Sequence, residues 1–148
     1  MPAPRLPHVP ARLPWPDTTG PDPSQAALDA LWSKTRAVRV YPGELGEHGP
    51  LARAPAVELR GPDVAELARL LAFEAPPERF RVPSLGQCAL ELRGRLFRVG
   101  LLGLDAEGAL RVSGWGSDVT LREPAAVFAW IAEKGGPSLA EARQQGAR

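Results

Sequence analysis

The segment Gly43-Glu44-Leu45-Gly46-Glu47-His48-Gly49 places two carboxylates and an imidazole within five residues, Glu44 to His48. Such a set can move protons near neutral pH once a wall shields it from water, so Glu44, Glu47 and His48 are the candidate catalytic residues of a small acid–base enzyme. The plainer reading, a solvated loop, asks for nothing further and is preferred. Cys88 is the single cysteine, and a nucleophilic thiolate there would need a histidine or a helix N-terminus beside it. Standing at the start of an apolar strand, it reads as a buried structural residue. His8 and His48 are the two histidines, so neither a disulfide framework nor a four-ligand Cys/His zinc centre can form, and no metal-site spacing surrounds His48. There is no Walker A pattern, no strand-GxGxxG-helix fingerprint and no GxSxG, so no cofactor and no hydrolase triad is expected.

Arginines and tryptophan supply the alternatives. Arg79, Arg81, Arg93, Arg95, Arg98 and Arg111 are close in sequence, and with Phe97 and Trp115 they offer phosphate contacts and base stacking. Two features disfavour nucleic acid. Strand alternation sends Arg95 and Arg98 to opposite faces, and the arginine content is partly background: Ala, Gly, Pro, Arg and Leu make up 91 of 148 residues, as in GC-rich coding. Trp115 sits between Gly114 and Gly116, which let a large ring project or let another chain segment approach. Tryptophan and arginine are the usual anchors of protein interfaces. With catalytic groups sparse, the sequence points to a non-catalytic protein that binds another protein, regulatory or immunity-like, with Trp115, Asp118, Arg98 and Arg111 in the contact. The competing reading of Trp115 is a core residue packed near Trp130.

The elements that must hold these residues are legible in outline. Residues 1 to 23 contain eight of the seventeen prolines and read as an extended, mobile arm, with PxxP spacing at Pro7 to Pro10 and Trp15 as a possible anchor. Ser24 caps a short helix to about residue 34, and strands follow at 37 to 41 and 56 to 60, pairing as a wide hairpin. Gly61-Pro62-Asp63 opens the strongest helical pattern, Val64, Leu67, Ala68 and Leu71, which Pro76-Pro77 stops. Residues 88 to about 121 read as an antiparallel meander, its second strand spanning Leu96 to Leu104 and covered on both faces. Glu123-Pro124 starts a helix whose apolar stripe is Val127, Trp130 and Ile131, and Ser138-x-x-Glu141 is a capping box for a last short helix. The order α-β-β-α-β-β-β-α-α predicts an α+β fold with a mainly antiparallel sheet and helices mostly on one face. It divides into the arm 1–23, one domain over 24–137 and a short C-terminal helix and tail over 138–148.

From Cys88 onward the chain resembles a group of small bacterial proteins from GC-rich genomes that carry no assigned activity. The resemblance rests on Cys88, Leu101-Leu102-Gly103-Leu104, Arg111, Gly114-Trp115, Asp118, Leu121, Trp130-Ile131 and Gly136-Pro137 with the helix up to Arg143. It implies a shape and no chemistry, and the histidine common in that group near the second meander strand is here Gly103-Leu104-Asp105. The chain has 148 residues, enough for one domain, and a formal charge of +1 that produces no whole-molecule field but allows a local basic face. No apolar run is long enough to span a membrane, and the proline-broken start does not resemble a signal peptide, so a cytoplasmic location is expected.

Overall fold

A computed structural model describes residues 20–82 and 87–146. The first helix, α1 (Gln25–Lys34), begins where expected, the Ser24 hydroxyl accepting from the Ala27 amide at 3.0 Å. Two strands follow, β1 (Ala37–Pro42) and β2 (Val57–Arg60), and they pair antiparallel around the long connection 43–56. The next helix, α2 (Pro62–Leu70), has Pro62 in its first turn and buries Val64 and Leu67. Its end differs from the expectation. The helix stops at Leu70, well before Pro76-Pro77, because Phe73–Glu74 forms a short strand, β3, paired with a strand at the far edge of the sheet. Two residues have no period to read, and an apolar run such as Leu70-Leu71-Ala72-Phe73 continues a helical pattern equally well.

The meander consists of β4 (Cys88–Arg93), β5 (Arg98–Leu104), β6 (Ala109–Val112) and β7 (Val119–Leu121). All pairings are antiparallel, and the sheet runs in the order β2-β1-β4-β5-β6-β7-β3. Helices α3 (Pro124–Glu133) and α4 (Leu139–Gly146) complete the chain. The fold is α+β with a mainly antiparallel sheet, as its pattern predicts. Two short strands, β3 and β7, extend the expected order.

The core lies between the sheet and the helices. Val38, Val40, Leu90, Leu92, Leu102, Leu104, Leu110 and Val119 share one sheet face and are buried against Leu28, Leu67, Phe128 and Ile131. Alternation along each strand fixes which residues can join this face. The last helix, α4, contributes to this core: Leu139 packs against it and Ala142 is fully buried in it. The capping box is formed, Ser138 N donating to Glu141 Oε1 (2.8 Å) and Glu141 N to the Ser138 hydroxyl (3.1 Å). No helix among the described residues is long and apolar enough to cross a membrane.

Among the described residues, no helix lies on the opposite sheet face. Over β1, β4 and β5 it is covered by the connection 43–56, whose Leu45 packs on Tyr41, Ala89 and Leu101. Over β6 and β7 it is crossed by the segment after β3, which the Asp118 amide ties down by donating to Phe80 O (2.9 Å). Between and beyond these two covers, no described residue lies over the end of the face at the β4–β5 turn, where Leu96 and Phe97 are exposed.

Candidate functional site

Two arginine–carboxylate clusters occupy the helix-free face, and they differ in what they do. In the first, Arg111 on β6 and Asp118 just before β7 form a bidentate pair, Nε to Oδ1 at 2.8 Å and Nη2 to Oδ2 at 2.9 Å. Arg81 Nη1 adds a third contact to Oδ1 at 3.2 Å, the Val82 amide donates to Oδ2 at 2.8 Å, and Arg81 also donates to the carbonyl of Trp115. Asp118 is fully buried and Arg111 nearly so. The cluster is a clamp: it fixes the segment 79–82 across the sheet and satisfies the charges that doing so buries.

Of the residues expected in the contact, Trp115, Asp118 and Arg111 are all placed in the interior, Trp115 in keeping with its reading as a core residue. The Trp115 ring meets Phe73 edge-on at 5.7 Å and belongs to the core. Gly116 serves a close approach of the chain to itself, its amide donating to Pro21 O at 2.8 Å and a Cβ there running into Gly20 O, whereas Gly114 is needed for its backbone, at φ +97°. Residues 20 and 21, expected at the end of a mobile arm, are thus packed here. Residues 1–19, with His8, Trp15 and the PxxP spacing, lie outside the described residues.

The second cluster centres on Glu91 of β4, which is 3% exposed. Arg98 Nε donates to its Oε2 at 2.9 Å, Arg93 Nη1 to the same oxygen at 3.3 Å, and the Tyr41 hydroxyl to Oε1 at 3.3 Å. Burial alone would raise the Glu91 pKa, but the arginines around it, Arg98 foremost, outweigh burial and hold it below the usual carboxylate range. Beside it, Arg39 Nε donates to Glu58 Oε1 at 3.0 Å and Arg60 Nε to Oε2 at 2.7 Å. These bonds, Arg39 first, lower the Glu58 pKa, and Glu58 in turn raises that of Arg39. Arg98, the fourth residue expected in the contact, lies at the surface, and its Nη1 also donates to His48 O at 3.1 Å.

The rest of the exposed end is the β4–β5 turn. Gly94 N donates to Phe97 O at 2.8 Å, closing a tight turn that displays Arg95, Leu96 and Phe97. Leu96 and Phe97 are each 75% exposed. The strand expected from Leu96 begins only at Arg98, because the turn consumes Gly94 to Phe97. Three adjoining hollows surround this tip. One of about 340 Å³ is lined by Arg36, Ala37, Arg39, Glu58, Arg60, Arg93, Gly94 and Arg95. A second of about 510 Å³ has Leu31, Lys34 and Val99 beside Leu96 and Phe97. A third of about 380 Å³ adjoins Arg98, with Leu51, Arg53 and His48 on its wall. Together with Glu91 beneath them, these hollows hold eight of the eighteen cations and three of the seventeen acids, which makes this end +5 and the remainder of the chain −4.

Glu47 and His48 are exposed and Glu44 is half-buried. The loop is ordered, with Leu51 N donating to Glu44 O at 3.0 Å, but no hydrogen bond joins the His48 imidazole to a carboxylate among the described residues. No group of three metal-binding side chains exists among the described residues. Cys88 is fully buried, and burial pushes its thiol up to about 12, the environment of a structural cysteine. Arg36, Arg39, Arg60 and Leu96 were not singled out by sequence reasoning. The arginines come from separate segments that only strand pairing aligns, and an apolar pair in a turn reads like the start of a strand. Arg93-Gly94-Arg95, a turn glycine between two cations, is the signal that marks the tip.

Scans of the chain against protein-family models, curated proteins and solved structures find no match.

Proposed function

We propose that this protein is a non-catalytic binding module whose partner is another protein, engaged through the β4–β5 turn and the hollows beside it. The observation that carries the reading is the exposed pair Leu96-Phe97 raised on a turn between Arg95 and Arg98. Side chains of that size held out in water forgo burial worth about 1.5–3 kcal/mol each. Aromatic and arginine side chains together, next to an open apolar hollow, are the composition of interface hot spots. A nucleic acid suits the surface less well. Phe97 is the exposed large aromatic at this end, a single stacking platform, and Glu58 and Glu91 stand among the arginines where a phosphate ladder would have to run.

The test is affinity capture of the tagged full chain from its native host, at moderate salt after nuclease treatment, with wild type and Phe97→Asp processed side by side. A protein recovered in stoichiometric amount with wild type and absent with Phe97→Asp, at equal melting temperatures, is the expected result. Bait recovered clean in both, or a partner retained equally by both, would overturn the assignment.

A further inference from the structure

Strand register arranges the charges of the open face in two rows. One row reads Glu58, Arg39, Glu91, a cation flanked by two acids. The next row reads Arg60, Ala37, Arg93, a small apolar residue flanked by two cations. Residues two apart on a strand share a face, so Ala37 points the same way as Arg39. The alternation of sign that the first row satisfies within the chain is therefore interrupted at Ala37. The methyl group leaves room where a longer side chain would stand, and it floors the hollow of about 340 Å³ between Arg60 and Arg93. Arg36 and Arg95 stand at the same hollow, both exposed.

We infer that the hollow over Ala37 receives a carboxylate side chain from an acidic, extended segment of the partner protein. The inference rests on the protein-binding reading and deepens it by naming the partner's chemistry. A carboxylate placed between Arg60 and Arg93 converts the interrupted row into cation, acid, cation, the mirror of the row beside it. Each guanidinium has five N–H donors, and the two glutamates supply only four oxygens among the arginines around them, so donors remain for an incoming carboxylate. Glu58 and Glu91 hold Arg39, Arg60 and Arg93 in place beforehand, which reduces the ordering cost of binding. Arg36 and Arg95, exposed at the same hollow, leave cations for further acids of that segment.

The inference is tested by fluorescence anisotropy with the full chain at about 0.15 M salt, an ionic strength at which exposed long-range attraction is largely screened. The probe is a fluorescein-labelled decapeptide alternating Glu and Leu, with a single-stranded oligo-dT decamer as the competing macromolecule. The peptide is expected to bind wild type more tightly than the oligonucleotide. Ala37→Glu, which supplies the carboxylate from within, should weaken the peptide at least about tenfold, the loss expected when a charge-assisted contact is blocked. Arg36→Ala/Arg95→Ala should do the same and decides the matter if Ala37→Glu does not fold. Arg122→Ala, an exposed arginine at the other edge of the sheet, should change nothing. No peptide binding, equal weakening by Arg122→Ala, indifference to both hollow variants or preference for the oligonucleotide would each overturn the inference. If Phe97→Asp abolishes capture of the native partner while Ala37→Glu leaves it intact, the binding reading stands and the acidic segment alone is refuted.

Discussion

Asp118 and Glu91 are both buried carboxylates held by arginines, and they differ in how far water reaches their partners. Arg111 beside Asp118 is 3% exposed at its side chain, whereas Arg93 and Arg98 beside Glu91 are 33% and 41% exposed. Removing Asp118 leaves a guanidinium with no access to water, so Asp118→Ala should cost about 3–5 kcal/mol in urea denaturation. Removing Glu91 leaves cations that solvent can screen, and the loss should be smaller. The pH dependence follows from the lowered pKa of Glu91 and Glu58. Groups depressed on folding stabilise the native state above their ordinary value of 4.5, and that contribution disappears as pH falls through the folded value. Thermal stability should therefore decline on acidification below about 4.5, and Glu91→Gln should flatten the decline. At Cys88 the thiol is pushed up to about 12 and fully buried, so a disulfide reagent at pH 8 should react only after denaturant is added. The burial of Cys88 was readable from its place in an apolar run. The burial of Asp118 was not, because its partner Arg81 arrives from the connection before β4, and nothing local marks that segment as a cover.

At the scale of elements, the β4–β5 turn and β3 show opposite uses of phenylalanine. Phe73 is 6% exposed and packs on Trp115, whereas Phe97 is 75% exposed on the turn. Phe73→Ala should cost about 3–5 kcal/mol, and Phe97→Ala should stay within about 0.5 kcal/mol, both read by denaturant melts. Helices α1, α2 and α4 were legible because caps and 3.6-residue spacing are local, as at Ser24, Gly61-Pro62 and Ser138-x-x-Glu141. The wide hairpin of β1 and β2 followed from two period-two runs. The end of α2 and the existence of β3 did not, since pairing with Leu121 across the sheet decides them. The division of Leu96 to Leu104 into turn and strand was hidden for a related reason. Apolar residues are continuous through it, and only the Gly94 to Phe97 hydrogen bond shows where the turn ends.

At the scale of the whole molecule, the net charge of +1 conceals a basic end, where the hollows gather eight of the eighteen cations. Counting residues along the chain cannot reveal it, because the arginines meet only when β2, β1 and β4 align. A module built this way presents an apolar tip within a positive rim, which is suited to orienting a partner of opposite charge before the apolar contact forms. The central claim is that the tip is what the partner holds. The most direct measurement is calorimetric titration of the captured partner, purified, into wild type and into Phe97→Asp. Phe97→Asp should weaken affinity by at least about thirtyfold, the scale of a hot-spot loss, with the melting temperature unchanged. Equal affinity for the two proteins would contradict it.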